Sequence, residues 1–249
     1  MDIKIKDLLV RRKDKTVLDI KDCTIPDGKI IAVVGRNGSG KSTLISAICG
    51  LTDYSGHIYF ANTDISSLSK REIARYVSVM GQILPSPCIT VRELASMSLE
   101  AERPIFEGLT GSDFATIEKL ICDLGIERLK DRRIDTLSGG ERRLAFYLAS
   151  LVRDCPIMIF DEATAYMDKD NEGAFLERMR SLKNKGKTVI SVMHDISDAV
   201  AYADNILLLD GGRVAFFGTV SEILDTNILE TTMNVERYTL EKRIFFSHK

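Results

Sequence analysis

The chain has 249 residues, 45% hydrophobic and 28% charged, with 34 basic against 36 acidic side chains and a formal net charge of −2. Length and apolar content allow one full core at the upper end of single-domain size, or one core carrying an inserted subdomain. The near balance of charge supplies no basic field for nucleic acid, and the run Arg11-Arg12-Lys13 is too short to create one.

The longest apolar runs, such as Ile206-Leu207-Leu208-Leu209, fall far short of a membrane span, and no amino-terminal leader pattern is expected. Cys23, Cys49, Cys88, Cys122 and Cys155 are odd in number and show no C-x-x-C spacing. They read as free thiols of a reducing compartment.

In chain order, Ile3-Lys4-Ile5-Lys6 alternates with period two, as does the segment Gly56 to Phe60, and both are expected in an antiparallel sheet. Between them the apolar run 29–34 leads into Gly35-Arg36-Asn37-Gly38-Ser39-Gly40-Lys41-Ser42-Thr43, which fits the phosphate-binding pattern G-x-x-x-x-G-K-[ST]. Glycines there let successive backbone N–H groups turn toward phosphate oxygens, and a helix starting near Lys41 aims its positive end at the same anion. The pattern assigns Lys41 to the β- and γ-phosphates of a nucleoside triphosphate and Ser42 to Mg²⁺. Residues 43–49 read as an amphipathic helix stopped by Gly50.

Further apolar runs near 75–80, 157–160, 188–192 and 205–209 alternate with helical patterns. Together with 30–34 they predict a largely parallel sheet covered on both faces. From about 83 to 153 the strand pattern gives way to helices. Thr90-Val91-Arg92-Glu93 and Ser138-Gly139-Gly140-Glu141 match the S/T-x-x-E capping box, and a helix is expected from Asp113 to Leu124 with Gly125 as its stop. The division expected is a nucleotide-binding core of residues 1–82 and 154–249 with a helical subdomain over 83–153, joined within itself by the loop 103–111.

The run Pro156-Ile157-Met158-Ile159-Phe160-Asp161-Glu162 is an apolar strand ending in two carboxylates. Beside a phosphate loop, Asp161 can hold a water of the Mg²⁺ shell, and Glu162 can orient or deprotonate the attacking water.

Leu137-Ser138-Gly139-Gly140-Glu141 resembles the signature motif of ATP-binding cassette (ABC) ATPases, with Glu141 where Gln is more common. It stands in that family's order, between the phosphate loop and the Asp-Glu strand. Gln82 resembles the family's Q-loop glutamine, which senses Mg²⁺, and His194 resembles the switch histidine that contacts the γ-phosphate. Asp168, in Ala165-Tyr166-Met167-Asp168, matches the D-loop, although S-x-L-D is more usual. The resemblance spans about Ile3 to Leu224, and its details are similar to the ATPase subunits of iron-siderophore and vitamin B12 importers, including Ile89 to Leu94 and His194 to Asp204. The tail from Asn234 to Phe246 matches the small terminal hairpin of that group.

The resemblance implies a P-loop NTPase (RecA-like) α/β core with a flanking antiparallel sheet. It implies ATP and Mg²⁺ as cofactors and a head-to-tail dimer in which Ser138, Gly139, Gly140 and Glu141 bind the γ-phosphate held by the opposite protomer. It further implies polytopic permease subunits, docked in the groove near Ile83, Leu84 and Ile89, an extracytoplasmic solute-binding protein, and a peripheral place on the cytoplasmic face of the membrane. A soluble ABC ATPase without a channel, such as an iron–sulfur cluster assembly ATPase, and a nucleotide-binding regulatory module are the competing readings.

Where the family places an aromatic ring to stack on adenine, the nearest positional match is Arg12, in the segment Val10 to Leu18. A guanidinium also lies flat on a purine. Arg12→Ala is therefore expected to cost ATP binding about 0.5 to 2 kcal/mol, and the parent to discriminate weakly between ATP and GTP. Competition binding checks both, and a strong ATP preference untouched by the substitution would place base reading elsewhere.

Overall fold

Strands that alternate apolar and polar residues and strands that are apolar throughout fall into different sheets. The computed structural model describes residues 1–13, 15–100, 108–163, 169–240 and 243–248. Its first half runs β1 (Ile3–Arg12), β2 (Lys15–Ile25), β3 (Ile30–Val34), α1 (Lys41–Ile48), β4 (Ser55–Phe60), β5 (Thr63–Asp64), α2 (Lys70–Tyr76), β6 (Val77–Met80), α3 (Val91–Glu100) and α4 (Gly111–Asp123). After these come α5 (Gly139–Leu151), β7 (Ile157–Asp161), α6 (Lys169–Asn184), β8 (Thr188–Val192), α7 (Ile196–Tyr202), β9 (Asn205–Asp210), β10 (Arg213–Thr219), α8 (Val220–Leu224), α9 (Ile228–Met233), β11 (Val235–Leu240) and β12 (Arg243–His248).

The alternating strands β1 and β4 lie in an antiparallel sheet of order β2-β1-β4-β5, in which Ile3, Ile5, Leu8 and Val10 of β1 point inward. The apolar strands form a six-stranded sheet of order β10-β9-β3-β8-β7-β6, parallel except for the edge strand β10. All five residues of β3 are buried because both its faces are covered. Ile31 and Val33 pack with α1 and the antiparallel sheet, whereas Ile30, Ala32 and Val34 pack with residues of α6 and α7. Period two thus sends one strand into two cores.

A third cluster gathers Val91 and Ala95 of α3, Ile117 and Ile121 of α4, and Ala145 and Leu148 of α5. Leu124 and Phe146 pack against both this cluster and the one under α6. The capping boxes expected at Thr90 and Ser138 are present: Glu93 N donates to Thr90 Oγ1 at 3.2 Å and Glu141 N to Ser138 Oγ at 3.3 Å. Gly50 and Gly125 close their helices with φ of +65° and +66°. The tail forms the expected hairpin, β11 pairing with β12.

Several elements differ from the sequence reading. The run 75–80 is split, because Ser69 and Glu72 cap a helix that continues to Tyr76 before β6 begins. Helix α1 is buried on nearly every side rather than amphipathic. The expected helix 113–124 is displaced to Gly111–Asp123. Strand β2 was hidden because Lys21 and Asp22 are both exposed and break its alternation. Strand β10 was signalled only by Gly211-Gly212, a two-residue turn with φ of +51° and +82°. The loop 103–111 lies largely outside the described residues.

Candidate nucleotide site

Strand β3 delivers the chain into the phosphate loop, and the loop is gripped from three remote segments. At Gly35 a Cβ would lie 2.4 Å from the Leu209 carbonyl oxygen, and at Gly40, with φ of +104°, one would lie 2.6 Å from Leu18 Cδ2. Only glycine admits β9 and β2 this close. The Gly212 amide donates to Ser39 O at 3.1 Å and Asp19 N to Gly212 O at 2.8 Å, so the β9–β10 turn ties the loop to β2. Ser39, Gly40, Lys41 and Thr43 are buried, whereas Arg36, Asn37, Gly38 and Ser42 are exposed at the rim. Lys41 Nζ donates to Gly35 O at 2.6 Å and to Arg36 O at 3.2 Å. Burial pushes its pKa down, against the pull of Glu162 and Asp161.

Parallel pairing brings three more groups to the same sheet edge. Strands β6, β7 and β8 run side by side in one direction, so the residues just beyond their carboxyl ends converge. Gln82 and His194 each lie two residues past a strand, slightly later than the sequence reading placed them, and Glu162 one past. His194 Nε2 lies 2.6 Å from Glu162 Oε1, and Gln82 Nε2 donates to Glu162 Oε2. Glu162 itself has φ of +54°, a left-handed conformation that costs a non-glycine residue about 1 to 2 kcal/mol. Asp161 Oδ1 is buried with no hydrogen-bond partner among the described residues. Its pKa is raised by burial and by neighbouring Glu162, with the Ser42 hydroxyl, Lys41 and His194 acting the other way.

The Ser138–Glu141 segment is built separately. Ser138 caps α5, and Glu141 Oε2 accepts from Ser138 N and Oγ, each at 3.1 Å. Arg128 and Arg132 stand 3.4 and 3.6 Å from Glu141 Oε1. Gly139 and Gly140 are exposed, with open space where a Cβ would stand. Among the described residues, no hydrogen bond or ion pair joins Ser138–Glu141 to the loop 35–43. Arg12 is exposed at the end of β1, opposite Lys15, while it is Val17 and Leu18 further along β2 that touch the loop. Asp168 lies outside the described residues.

Sequence reasoning missed Arg143, which is buried and whose Nη1 donates to Ala163 O at 2.8 Å. Nothing in the sequence marked it as buried.

The arrangement can hold a triphosphate in the loop while presenting a hydrogen-bonded carboxylate beside it. The ABC transporter family model matches residues 18–165. The ferric enterobactin transport ATP-binding protein FepC of Escherichia coli is 33% identical over 218 residues, covering 86% of this chain and 80% of that protein. The petrobactin import ATP-binding protein FatE of Bacillus anthracis is 32% identical over 241 residues, covering 94% and 95%. Among solved structures, an inward-facing putative metal-chelate type ABC transporter superposes with a TM-score of 0.82 at 22% identity, covering 98% of this chain and 95% of that one. A dimeric ATP-binding cassette with ADP and Pi gives 0.77 at 22% identity, covering 88% and 98%. The chain therefore belongs to the ABC transporter family, as an ATP-binding subunit that hydrolyses ATP.

Because burial and Glu162 hold the Asp161 pKa above its unfolded value, ionising this group costs folding stability as pH rises through that pKa. Asp161→Asn is expected to raise the melting temperature of the nucleotide-free protein at pH 7. The gain should shrink below the ordinary carboxylate range, where both proteins are neutral at this position, as thermal unfolding at the two pH values would show.

Proposed function

We propose that this ATPase drives a metal-chelate importer of the iron-siderophore or cobalamin kind. Supporting this cargo class are relatives whose names specify ferric enterobactin, petrobactin and cobalamin. The working unit is a head-to-tail pair of cassettes, two copies of this chain, with ATP between the phosphate loop of one and the Ser138–Glu141 segment of the other. The core is residues 1–82 with 154–249, and 83–153 form the helical subdomain. Support for action across an interface comes from the open, exposed Gly139 and Gly140, which can take a phosphate on a helix N-terminus away from their own loop.

The single observation that carries the chemistry is Glu162 held between Gln82 and His194. Two partners fix both oxygens of one carboxylate, so it can orient a water and accept its proton as that water attacks the γ-phosphate in line. His194 then steadies the transferred group, and Lys41 lies against the β- and γ-phosphates. Residues 35–43 wrap the phosphates, Arg12 stacks on the base, and Asp168 contributes from the D-loop.

The oxygens around Asp161 fit a hard divalent cation: its buried Oδ1 lacks a partner among the described residues, and the Ser42 hydroxyl stands near the same carboxylate. Mg²⁺ would be held by Ser42, Gln82 and, through water, Asp161, where it would neutralise charge on the phosphates.

Membrane permease subunits are the proposed partners, with a solute-binding protein delivering cargo outside and this subunit on the cytoplasmic face. Among the described residues no helix is long and apolar enough to cross a membrane. A cavity of about 340 Å³ between β6, α3 and α5, bordered by exposed Val79 and Met97, supplies the docking groove. Ile83 is 87% exposed, whereas Leu84 and Ile89 pack against the protein's own clusters. The apolar docking surface is therefore smaller than the sequence suggested.

Glu162→Gln is expected to keep ATP binding, to lower turnover by about 10² to 10⁴-fold, and to accumulate ATP-bound dimers. Phosphate release and size-exclusion chromatography check this, and near-parental turnover would remove Glu162 from the role. Ser138→Arg should block ATP-dependent dimerisation while leaving ATP affinity of the isolated protomer nearly unchanged. Collapse of that affinity would place the segment at its own loop instead.

A further inference from the structure

We propose that Arg143 is a positioning residue for ATP hydrolysis, holding the backbone turn that aims Glu162 and tying that turn to the helix that carries Ser138. The inference rests on the reading of Glu162 as the group that orients or deprotonates water.

A guanidinium cannot lose its charge in a protein, so burying one requires hydrogen-bond acceptors fixed around it. Arg143 is only 8% exposed, and its Nη1 meets the carbonyl oxygen of Ala163, itself 1% exposed, at 2.8 Å. Ala163 is the residue after Glu162. Strand β7 ends at Asp161, and Glu162 then takes φ of +54°. A left-handed residue is a strained one, which persists where its surroundings over-determine it. Gln82 and His194 hold the side chain of Glu162. Arg143 holds the exit of the turn through a charge-assisted hydrogen bond.

The other end of the link is equally firm. Tyr147 follows Arg143 by four residues, on the same face of α5, and its ring lies 5.8 Å from Phe160 and 5.3 Å from Phe175. Helix α5 is thereby fastened to β7 and its exit at two successive turns, by one aromatic contact and one charge-assisted hydrogen bond. Ser138, its cap, is five residues before Arg143, about 7 Å along the axis at the helical rise. A displacement at the Ser138 end is therefore delivered within two turns to the backbone beside Glu162.

The full chain carrying Arg143→Gln or Arg143→Lys is to be compared with the parent and with Glu162→Gln. Steady-state phosphate release gives kcat, titration with a fluorescent ATP analogue gives affinity, and melting temperature reports folding. Arg143→Gln should lower kcat about 10- to 100-fold, the scale of a small misplacement at a reacting centre, with analogue affinity within about twofold of the parent. Arg143→Lys, which keeps the charge but offers a one-point donor, should fall between, about three- to tenfold below the parent. In the Glu162→Gln background, Arg143→Gln should change the residual rate less than about twofold, as expected for residues acting as one unit. A folded Arg143→Gln with parental kcat, or equal losses in both backgrounds, would overturn the proposal. If Arg143→Gln does not fold, parental kcat in Arg143→Lys overturns it. Parental turnover by Glu162→Gln would remove the underlying reading, whereas an inactive Glu162→Gln beside a fully active Arg143→Gln would remove this proposal alone.

Discussion

Everything at the site depends on the parallel pairing of β3 with β8 and of β8 with β7. Parallel neighbours end at one edge, so residues far apart in the chain are delivered together wherever the strands stop. The register sets Val33 opposite Val192 and Asp161 opposite Val192. The phosphate loop therefore leaves β3 beside the points where Asp161, Glu162 and His194 leave their strands. A slip of one residue would turn the inward set Ile31 and Val33 toward the α6 and α7 side and break both cores, so packing enforces the site's geometry.

The site concentrates what a stable fold avoids. Asp161 and Glu162 are adjacent carboxylates, one half-buried with an oxygen that has no partner among the described residues, and Lys41 is buried at the base of the loop. Glu162 occupies a strained backbone region. Such costs gather at functional positions and are carried by ordinary packing elsewhere. Here that packing includes the aromatic triad Tyr147, Phe160 and Phe175, directly behind the Asp161–Glu162 strand end.

The site was more legible in the sequence than the sheet that frames it. The loop at 35–43 and the strand ending at Asp161 could be read because phosphate and metal chemistry require particular residue types at a strand end, whereas Gln82 and His194 were read only through the family resemblance. Strand β2 could not, since its inward positions Leu18, Ile20, Cys23 and Ile25 do not keep one period. The convergence of Gln82 and His194 on Glu162 is a product of strand order, which short motifs do not state. Arg143 was invisible for a related reason. A charged residue in a mixed helix reads as solvated, and only the position of β7 shows that it faces a carbonyl in the interior.

The grip of the Gly211-Gly212 turn on the phosphate loop has a thermodynamic consequence. Ser39 O accepts from Gly212 N, Gly35 lies against Leu209, and Gly40 against Leu18, so the loop's backbone is immobilised by two strands and a turn as the domain folds. Fixing one residue's backbone costs about 1 to 2 kcal/mol of conformational entropy. In the proposed complex that cost falls on folding rather than on capture of the triphosphate, so the free energy of each contact with the loop would appear in affinity. Part of the preorganisation of the proposed phosphate site thus rests on a turn that belongs to neither the phosphate loop nor the carboxylate strand.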